Sequence, residues 1–488
     1  MENIVSKLKN NWILFIIILQ PVLDIVSYFQ MKYIGNSYSW IIRVALVAIV
    51  VFISFVASKD KKKFILKISP FALFFIIHMA NLYRIHKISI IEDTKYFILV
   101  FQMPILCIAL VDYIKNTDYD LNKIKLGICW SFTIFVISIL VAYITKTYQY
   151  TYAEGIGITG WFSSANTASM ILCALTPWVI YMASNSKKVL VYLITCMTGA
   201  IILFTNATRS CYFTLLGSLC VMIFALLVSK KETKKILKII ITIVFLILSV
   251  IFYKFSSTND RRIIANNVTR EYSKDIENVV IASKPKDIET EVNPTETEID
   301  IDINNIDINN YEMCVKILKT SYIYENIMEI QGERPVYEEM KPYLSATALS
   351  DNRLCKVINA KIEYKNSDIL TKILGIGYSR ISVNSLDLEN DLRAIFFYYG
   401  YLGFAIYIMF LTYFIIKGAI VFFKDKSIIH DKECIALFFL LVLLVLGGEH
   451  SGAFLRKSNA NIYLTLYLVI LYFNLNNYCK KNEIEKKN

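Results

Sequence analysis

The chain is poor in charged residues and in histidine. Asp, Glu, Lys and Arg make up 19% of its 488 residues, and only four residues are histidine. Hydrophobic residues reach 56%, and they are gathered in blocks long enough to cross a bilayer. This composition excludes an ordinary soluble domain and predicts an all-α membrane protein that crosses the bilayer many times.

Cysteine motifs and metal-ligand clusters are also missing. None of the ten cysteines forms a CxxC pair, and most lie inside apolar runs as small hydrophobic residues. Cys314 and Cys355, in a polar region, could pair. No group of Asp, Glu and His has the spacing of a metal site. The sequence therefore predicts neither a metal nor another cofactor.

A glycine-rich nucleotide motif is present only in form. Gly155, Gly157 and Gly160 match GxGxxG, but the strand–turn–helix unit that this fingerprint requires is missing. We interpret these glycines as residues that let a loop fold back against the bilayer, with Trp161 and Phe162 as an interfacial anchor.

About a dozen segments are apolar and long enough to span a membrane. They divide the chain into a membrane domain over residues 1–255, a large loop over residues 256–393, and a second membrane portion over residues 394–488. No small-residue cleavage site follows the first segment, so we expect a retained helix rather than a signal peptide.

Lysine is distributed unevenly between the two sides of these segments. With the N-terminus in the cytoplasm, the lysine-rich short loops and the tail that contains Lys487 fall on the cytoplasmic side, where positive charge is favoured. This pattern accounts for the net charge of +12, so nucleic acid is not expected as a partner. The sequence predicts a cell-membrane protein with both termini in the cytoplasm and the large loop outside.

Two ionisable residues lie inside the first helical hairpin. Asp24 is in the first helix and Arg43 is near the start of the second. With a rise of about 1.5 Å per residue, both would lie one or two turns below the outer surface. Ionisable groups at that depth are costly unless they are paired, so a salt bridge is expected ahead of a direct role in substrate binding.

The large loop has two parts. Residues 275–310 are acidic and repetitive, which is typical of a solvated, mobile excursion that the protein could lose without harm. Residues 311–331 and 353–372 have helical periodicity. Their apolar content predicts two or three short helices rather than a large independent domain.

Four patches together carry a resemblance to a known family. They cover residues 160–166 and 205–210, each at the start of a helix, then residues 374–403, and finally residues 448–450. In this order the patches resemble the superfamily of O-antigen ligases and O-antigen polymerases, in a form expected from a low-GC Gram-positive bacterium. These proteins are multi-pass bacterial glycosyltransferases.

The resemblance implies about twelve helices with one large outer loop, as in that family, and chemistry without a nucleotide sugar or a metal. It implies transfer of a glycan from a polyprenyl diphosphate to an acceptor glycan at the outer face of the bilayer. The family's arginines match Arg209 and Arg353, and its late histidine matches His450. The chain departs from the family at Glu389, where histidine is common, and at Glu449, where glycine is common.

Chemical reasoning about the residue types agrees with this resemblance. A diphosphate requires permanent, fork-shaped positive charge, which arginine supplies, and an acceptor hydroxyl requires a base that titrates near neutral pH. We therefore predict that Arg209 and Arg353 hold the diphosphate and that His450 is the base. An exposed loop histidine and a snorkelling arginine are the alternatives. Five further residues are predicted to bind substrate: Arg380, Glu389, Asp391, Trp161 and Asn166.

The predicted function is polymerisation or ligation of lipid-linked oligosaccharide for a capsule, a teichuronic-like or an O-antigen-like polysaccharide. Polymerisation is preferred because a Gram-positive cell has no lipid A core to accept O-antigen. A transporter or flippase of the lipid-linked glycan is the alternative. That class favours internal repeats and charges near the bilayer midplane, whereas here the polar groups gather at one face. A sensor is a third possibility, but no cytoplasmic output domain is present.

Overall fold

The computed structural model describes residues 2–85, 89–152, 155–230, 232–282, 308–382, 386–452 and 454–485. Helices dominate these ranges. Strand is confined, in the described residues, to an antiparallel hairpin of β1 (Gln149–Tyr152) and β2 (Ile156–Gly160). The predicted all-α class is confirmed.

The helices fall into a group before the large loop, a group within it and a group after it. The first group is α1 (Glu2–Ile34), α2 (Ser39–Ala57), α3 (Lys61–Arg84), α4 (Ile90–Thr117), α5 (Leu121–Ile144), α6 (Ala165–Ser184), α7 (Val189–Thr205), α8 (Arg209–Val228) and α9 (Lys235–Ile251). The second is α10 (Ser257–Ala282), α11 (Tyr311–Lys319), α12 (Tyr322–Gln331), α13 (Glu333–Met340), α14 (Ala346–Leu349), α15 (Asn352–Lys365), α16 (Ile369–Leu374) and α17 (Tyr378–Ile381). The third is α18 (Asp391–Lys424), α19 (Lys432–Ser451) and α20 (Ser458–Glu485).

A helix stands at each of the places where the sequence predicts a membrane span. Within the described ranges, ten helical stretches are long and apolar enough to cross a membrane. Helix α7 has 17 residues and is shorter. Helix α20 is not among the ten, and asparagines such as Asn461 and Asn474 lower its hydropathy. Its middle is nevertheless buried, because α20 packs against α4, α6 and α19 at the centre of the bundle.

The chain alternates between two ends of this bundle. The β-hairpin, the α7–α8 turn, the helices of the large loop and the α19–α20 connection all lie at one end, here called the loop end. The buried pair that the sequence predicts is found one helix turn or more inside it, where Arg43 Nη2 donates to Asp24 Oδ1 at 2.8 Å. That prediction is confirmed.

Two glycine patches of the sequence meet at a break in α18. Gly400 has φ of 64° inside the helix, which interrupts the helical hydrogen bonds there. The carbonyl groups of Phe397 and Tyr398 accept instead from the backbone N–H groups of Ile376 and Gly377, at 3.1 Å each. A Cβ on Gly375 would stand 2.1 Å from the Tyr398 carbonyl oxygen, so this approach requires glycine. The glycines join the end of the large loop to the first turns of α18.

The large loop contains its own hydrophobic core, which the sequence analysis did not anticipate. Helices α10 to α15 bury residues such as Ile276, Ile317, Tyr324 and Met340 against one another, apart from the core of the membrane bundle. The predicted excursion over residues 275–310 therefore begins too early, because residues 275–282 belong to α10. Its middle, residues 283–307, lies outside the described residues. Cys314 and Cys355 are both buried in this region, and the structure places no disulfide between them.

Candidate functional site

Arg353, Glu389 and His450 come together at the loop end. Asp351 caps α15 and accepts from the Arg353 backbone N–H at 2.9 Å, which places Arg353 in the first turn. The Arg353 side chain donates from Nε to Glu389 Oε2 at 2.9 Å, from Nη1 to the His450 carbonyl, and from Nη2 to the Ser451 carbonyl at 3.3 Å. The guanidinium thus caps the negative end of α19, where the last carbonyl groups lack helical partners.

Glu389 joins this arginine to a lysine. Lys356 Nζ donates to Glu389 Oε1 at 2.8 Å from one helix turn beyond Arg353. Partial burial raises the pKa of the Glu389 carboxyl, but the hydrogen bonds and charges of Lys356 and Arg353 outweigh burial and hold that pKa below its ordinary value. Glu389 is therefore an anion that positions two cations.

The His450 imidazole is exposed in the last turn of α19. Within the described residues it makes no hydrogen bond to a side chain, while its backbone carbonyl is held by Arg353. The other described histidines have different surroundings: His78 Nδ1 is buried 2.7 Å from the Leu374 carbonyl, and His430 Nδ1 lies 2.7 Å from the Val228 carbonyl. His86 lies outside the described residues. Among the described histidines, His450 is the exposed one at the loop end.

Arg209 is the first residue of α8, and the β-hairpin fixes the turn before it. Thr151 Oγ1 donates to the Asn206 carbonyl at 2.7 Å, and a Cβ on Gly157 would come within 2.5 Å of Ala207 Cβ. The Arg209 side chain is exposed and makes no ion pair within the described part of the chain. A cation at the positive N-terminal end of a helix adds to the helix dipole, so this position attracts an anion.

The hairpin also connects Arg209 to the arginines of the large loop. The Arg261 guanidinium carbon lies 4.5 Å from the centroid of the Tyr152 ring. Burial raises the pKa of Tyr152, whereas the charges of Arg261 and Arg353 oppose that rise, so both arginines lie within electrostatic reach of the phenol. Arg261 was not predicted from the sequence, where its signal was the Arg261-Arg262 pair just after the ninth apolar segment.

Asp391 lies behind this surface rather than on it. Its side chain is fully buried, and Oδ2 accepts from the backbone N–H groups of Phe454 at 2.8 Å and Leu455 at 2.6 Å. Oδ1 accepts from Arg456 Nε at 2.9 Å, and Arg456 Nη1 donates to Asp387 at 3.0 Å. These bonds shape the α19–α20 connection, so the structure gives Asp391 a positioning contact with the chain after His450.

Glu449 explains one departure from the family pattern. Its Oε2 accepts from the Leu392 backbone N–H at 3.0 Å, and its Oε1 lies 3.0 Å from Arg393 Nε. A carboxylate at this place caps the first turn of α18 and favours its dipole. Glu449 therefore ties the residue before His450 to the start of the next membrane helix.

The remaining three predicted residues make other contacts. Arg380 donates to Glu363 at 2.7 Å. Glu363 is ten residues beyond Arg353 on α15, so the structure does not bring Arg380 to His450. Trp161 Nε1 donates to Thr147 Oγ1 at 2.8 Å, and its ring lies 5.3 Å from Phe29. Asn166 is in the first turn of α6.

The predicted interfacial anchor is wrong for one of its two residues. Phe162 is 3% exposed and stacks on Phe135 with ring centroids 3.7 Å apart, so it belongs to the interior of the bundle. The tight hairpin explains this position, because Gly160 lies against the Ile139 backbone and turns the chain inward. Trp161 remains partly exposed.

Comparison with known proteins gives one match. The model of the family described as O-antigen ligase like membrane protein matches residues 6–478. No curated protein matches the chain, and no solved structure matches it. The match spans the bundle, the large loop and every residue of the cluster around Arg353.

Proposed function

The chain belongs to the family of O-antigen ligase like membrane proteins, and from this premise we propose that it transfers lipid-linked glycan at the outer face of the cytoplasmic membrane. The donor is a polyprenyl-diphosphate-linked oligosaccharide, and the acceptor is a hydroxyl group of another glycan. In this proposal both termini are cytoplasmic and the loop end faces outward. The product is a polysaccharide of the cell envelope, such as a capsule or a teichuronic-like polymer.

The observation that carries the proposal is the position of Arg209. The Arg209 guanidinium makes no ion pair within the described chain and lies at the positive end of α8. The β-hairpin that holds the turn before Arg209 also lies close to Arg261 and within electrostatic reach of Arg353. A diphosphate carries several negative oxygens and requires such a convergence of fork-shaped charge. Arg209 is assigned to the donor diphosphate, with Arg353 adding charge nearby.

His450 is assigned to the acceptor. The acceptor oxygen attacks the anomeric carbon of the donor sugar, the bond from that carbon to the diphosphate oxygen breaks, and the hydroxyl proton passes to the imidazole. The diphosphate leaves with the bonding electrons and is stabilised by arginine. Because Arg353 holds the His450 carbonyl, it also positions the base relative to the leaving group.

The test is polymer or ligation product formed from lipid-linked repeat units by purified variants at matched protein level. His450→Ala is expected to lower the rate by about a hundredfold or more, the usual contribution of a positioned base. Arg209→Lys keeps the charge but loses the fork, so we expect a loss of roughly tenfold or more. A chelator should change little, because the proposed chemistry uses no metal.

Two histidine variants serve as controls for that experiment. His430→Ala removes an imidazole bound to the Val228 carbonyl near the other end of the bundle, and His86→Ala removes the one between α3 and α4. Both should retain near wild-type rates. Wild-type activity in His450→Ala would remove histidine from the mechanism. A ladder of products would identify a polymerase, and a single added glycan would identify a ligase.

A further inference from the structure

A polar cavity lies at the loop end, on the other side of α6 from Arg209. It has a volume of about 200 Å³ and opens between α1, the start of α6 and the start of α20. A water molecule occupies about 30 Å³ of liquid, so a phosphate group fits with room for a neighbouring hydroxyl. Its polar lining consists of Asp24, Ser163, Ser164, Thr167, Lys457 and Asn459.

Positive charge converges on this cavity from three sources. Helices α6 and α20 both begin at its wall, and their first N–H groups lack helical partners. Ser164, the residue before α6, makes no capping bond to those N–H groups. The Lys457 ammonium, at the third side, makes no hydrogen bond or ion pair within the described residues. Within the described part of the chain, the cavity thus combines N–H donors that have no partner with an unpaired cation.

The environment of Lys457 disfavours its positive charge, although the carboxylates of Asp387 and Asp391 oppose this effect. Burial lowers the pKa of Lys457, and the neighbouring charge of Arg456 lowers it further. Arg456 itself is committed to Asp387 and Asp391, so those carboxylates are shared with a second cation. A negative group in the cavity would stabilise the charged lysine.

One wall of the cavity offers an acceptor instead. Asp24 is 7% exposed, and its Oδ1 accepts from Arg43 at 2.8 Å and from Asn459 at 2.7 Å. Its Oδ2 is buried and has no hydrogen-bond partner in the described chain. An orphaned buried carboxylate oxygen is costly, and a hydroxyl group of a ligand would satisfy it. The cavity therefore suits a ligand with both anionic oxygens and hydroxyl donors.

Helix α6 separates this cavity from Arg209. Thr167 and Ile171 face the cavity, whereas Ser169 and Cys173 face α8, where Cys211 Sγ lies 3.6 Å from the Ser169 carbonyl and 3.9 Å from Cys173 Sγ. Residues two positions apart on a helix point in roughly opposite directions, because each residue turns by about 100°. One diphosphate cannot occupy both places.

We propose that this cavity binds a phosphate ester that carries hydroxyl groups, with its phosphate at Lys457 and the starts of α6 and α20 and a hydroxyl at Asp24. Two ligands have this chemistry. The first is a second lipid-linked glycan bound beside the donor, and this choice rests on the proposed function. The second is phosphatidylglycerol, whose head group also carries a phosphate and hydroxyl groups. A second diphosphate beside the first is what chain growth on a lipid carrier requires.

The experiment is native mass spectrometry of the full chain from phosphatidylcholine nanodiscs, with two added probes. Undecaprenyl diphosphate tests the substrate source, and phosphatidylglycerol tests the bilayer source. Wild type is expected to bind two undecaprenyl diphosphate molecules and Lys457→Met only one, with the lost site weakened about tenfold or more. Lys146→Met, which removes an exposed lysine at the same end, is the matched control and should bind two.

The outcomes separate this inference from the proposed function. Two molecules bound in Lys457→Met would overturn the cavity assignment and leave the transferase proposal standing. Loss of phosphatidylglycerol alone would assign the cavity to a bilayer lipid and overturn the substrate source. Binding of neither probe by wild type would overturn this inference, while the activity assay would still test the transferase.

The role of Asp24 has its own readout. Undecaprenyl diphosphate that carries N-acetylglucosamine should bind the Lys457-dependent site more tightly than the bare diphosphate, because the sugar supplies hydroxyl groups. Asp24→Asn should abolish that difference. If Asp24→Asn does not accumulate because its pair with Arg43 is lost, the comparison of the two probes on wild type decides alone. Equal affinity for both would remove the hydroxyl from the site.

Discussion

At the scale of single residues, the charges at the loop end divide into those that hold the structure and those that are open. Asp391, Arg456 and Glu449 are bound on several sides, and each ties the end of α19 to a neighbouring element. Arg209 and the His450 ring are exposed and unbound in the described chain. Open groups of this kind are available to a substrate, while the bound groups keep them in place.

Asp391 is therefore expected to act on folding before it acts on the reaction. Asp391→Asn would remove one of the two carboxylates that compensate the buried charge of Arg456. Breaking a buried ion pair typically costs about 3–5 kcal/mol, and the remaining pair with Asp387 offsets part of that cost. We expect a much lower melting temperature in detergent and weak membrane accumulation, measured by scanning fluorimetry and immunoblot. Glu449→Gln, whose partners are more exposed, is the control and should lose less stability.

A different result would support the predicted role of Asp391 in substrate binding. If Asp391→Asn accumulates and melts like wild type but makes no product, its carboxylate contacts a reacting group rather than the α19–α20 connection. The rate at saturating donor would then fall while stability is unchanged.

The sequence was informative about some residues and silent about others for a physical reason. Asp24 and Arg43 could be paired because helix geometry alone puts them at one depth. Arg456 could not be paired with Asp391, because the two residues are 65 positions apart and no local pattern encodes how α18 and α19 pack. Glu389 was recognised as a position of the family pattern, but its ion pairs with Lys356 and Arg353 depend on where α15 packs.

At the scale of elements, the large loop shows where periodicity helps and where it fails. The periodicity over residues 311–331 and 353–372 did predict helices, and α11, α12, α15 and α16 lie there. The small core between them was missed because each helix is short and supplies only a few apolar residues. Their sum, with Ile276 from α10, makes a buried cluster that no single segment reveals.

This core changes the deletion that the sequence favoured. Replacing residues 283–307 with a short flexible bridge should preserve accumulation and product formation, since α10 packs directly against α11. Removing all of residues 275–310 should destabilise the loop. It would delete Ile276, which is 1% exposed, and the Asn310 cap, which accepts from the Met313 N–H at 3.1 Å. Loss of such a cap alone costs about 0.5–2 kcal/mol.

Protease resistance of the large loop in purified variants, together with product yield, measures this difference. The two deletions are controls for each other, because both remove the acidic sequence and only the longer one removes core contacts. Complete loss of product in a stable deletion of residues 283–307 would show that the acidic stretch takes part in the reaction.

At the scale of the whole molecule, the two ends of the bundle differ in charge arrangement. Beyond the hairpin and large loop, the opposite end is closed by ion pairs such as Lys125 with Glu433 at 2.6 Å and Lys238 with Glu232 at 2.6 Å. The loop end instead leaves Arg209, His450 and Lys457 beside open space or a cavity. A lipid-linked substrate would therefore react at the loop end, whichever way the protein lies in the membrane.

The proposed location of the reaction depends on the orientation of the protein in the membrane, and the lysine distribution predicts that orientation. The short loops of the opposite end carry the lysine clusters, so that end should be cytoplasmic. A cysteine at Ser283, in the large loop, should react with an impermeant maleimide in intact cells. A cysteine at Lys187, between α6 and α7, should react only after lysis.

Lys187 is a better position for the cytoplasmic cysteine than nearby Ser184. Lys187 is exposed, whereas Ser184 is buried and its carbonyl accepts from Lys238. The wild-type chain, with its ten cysteines, sets the background of labelling. Labelling of Lys187→Cys but not Ser283→Cys in intact cells would invert the protein. Arg209 and the cluster around Arg353 would then face the cytoplasm, where nucleotide sugars are present. That result would contradict the proposal of a lipid-linked donor at an outer site.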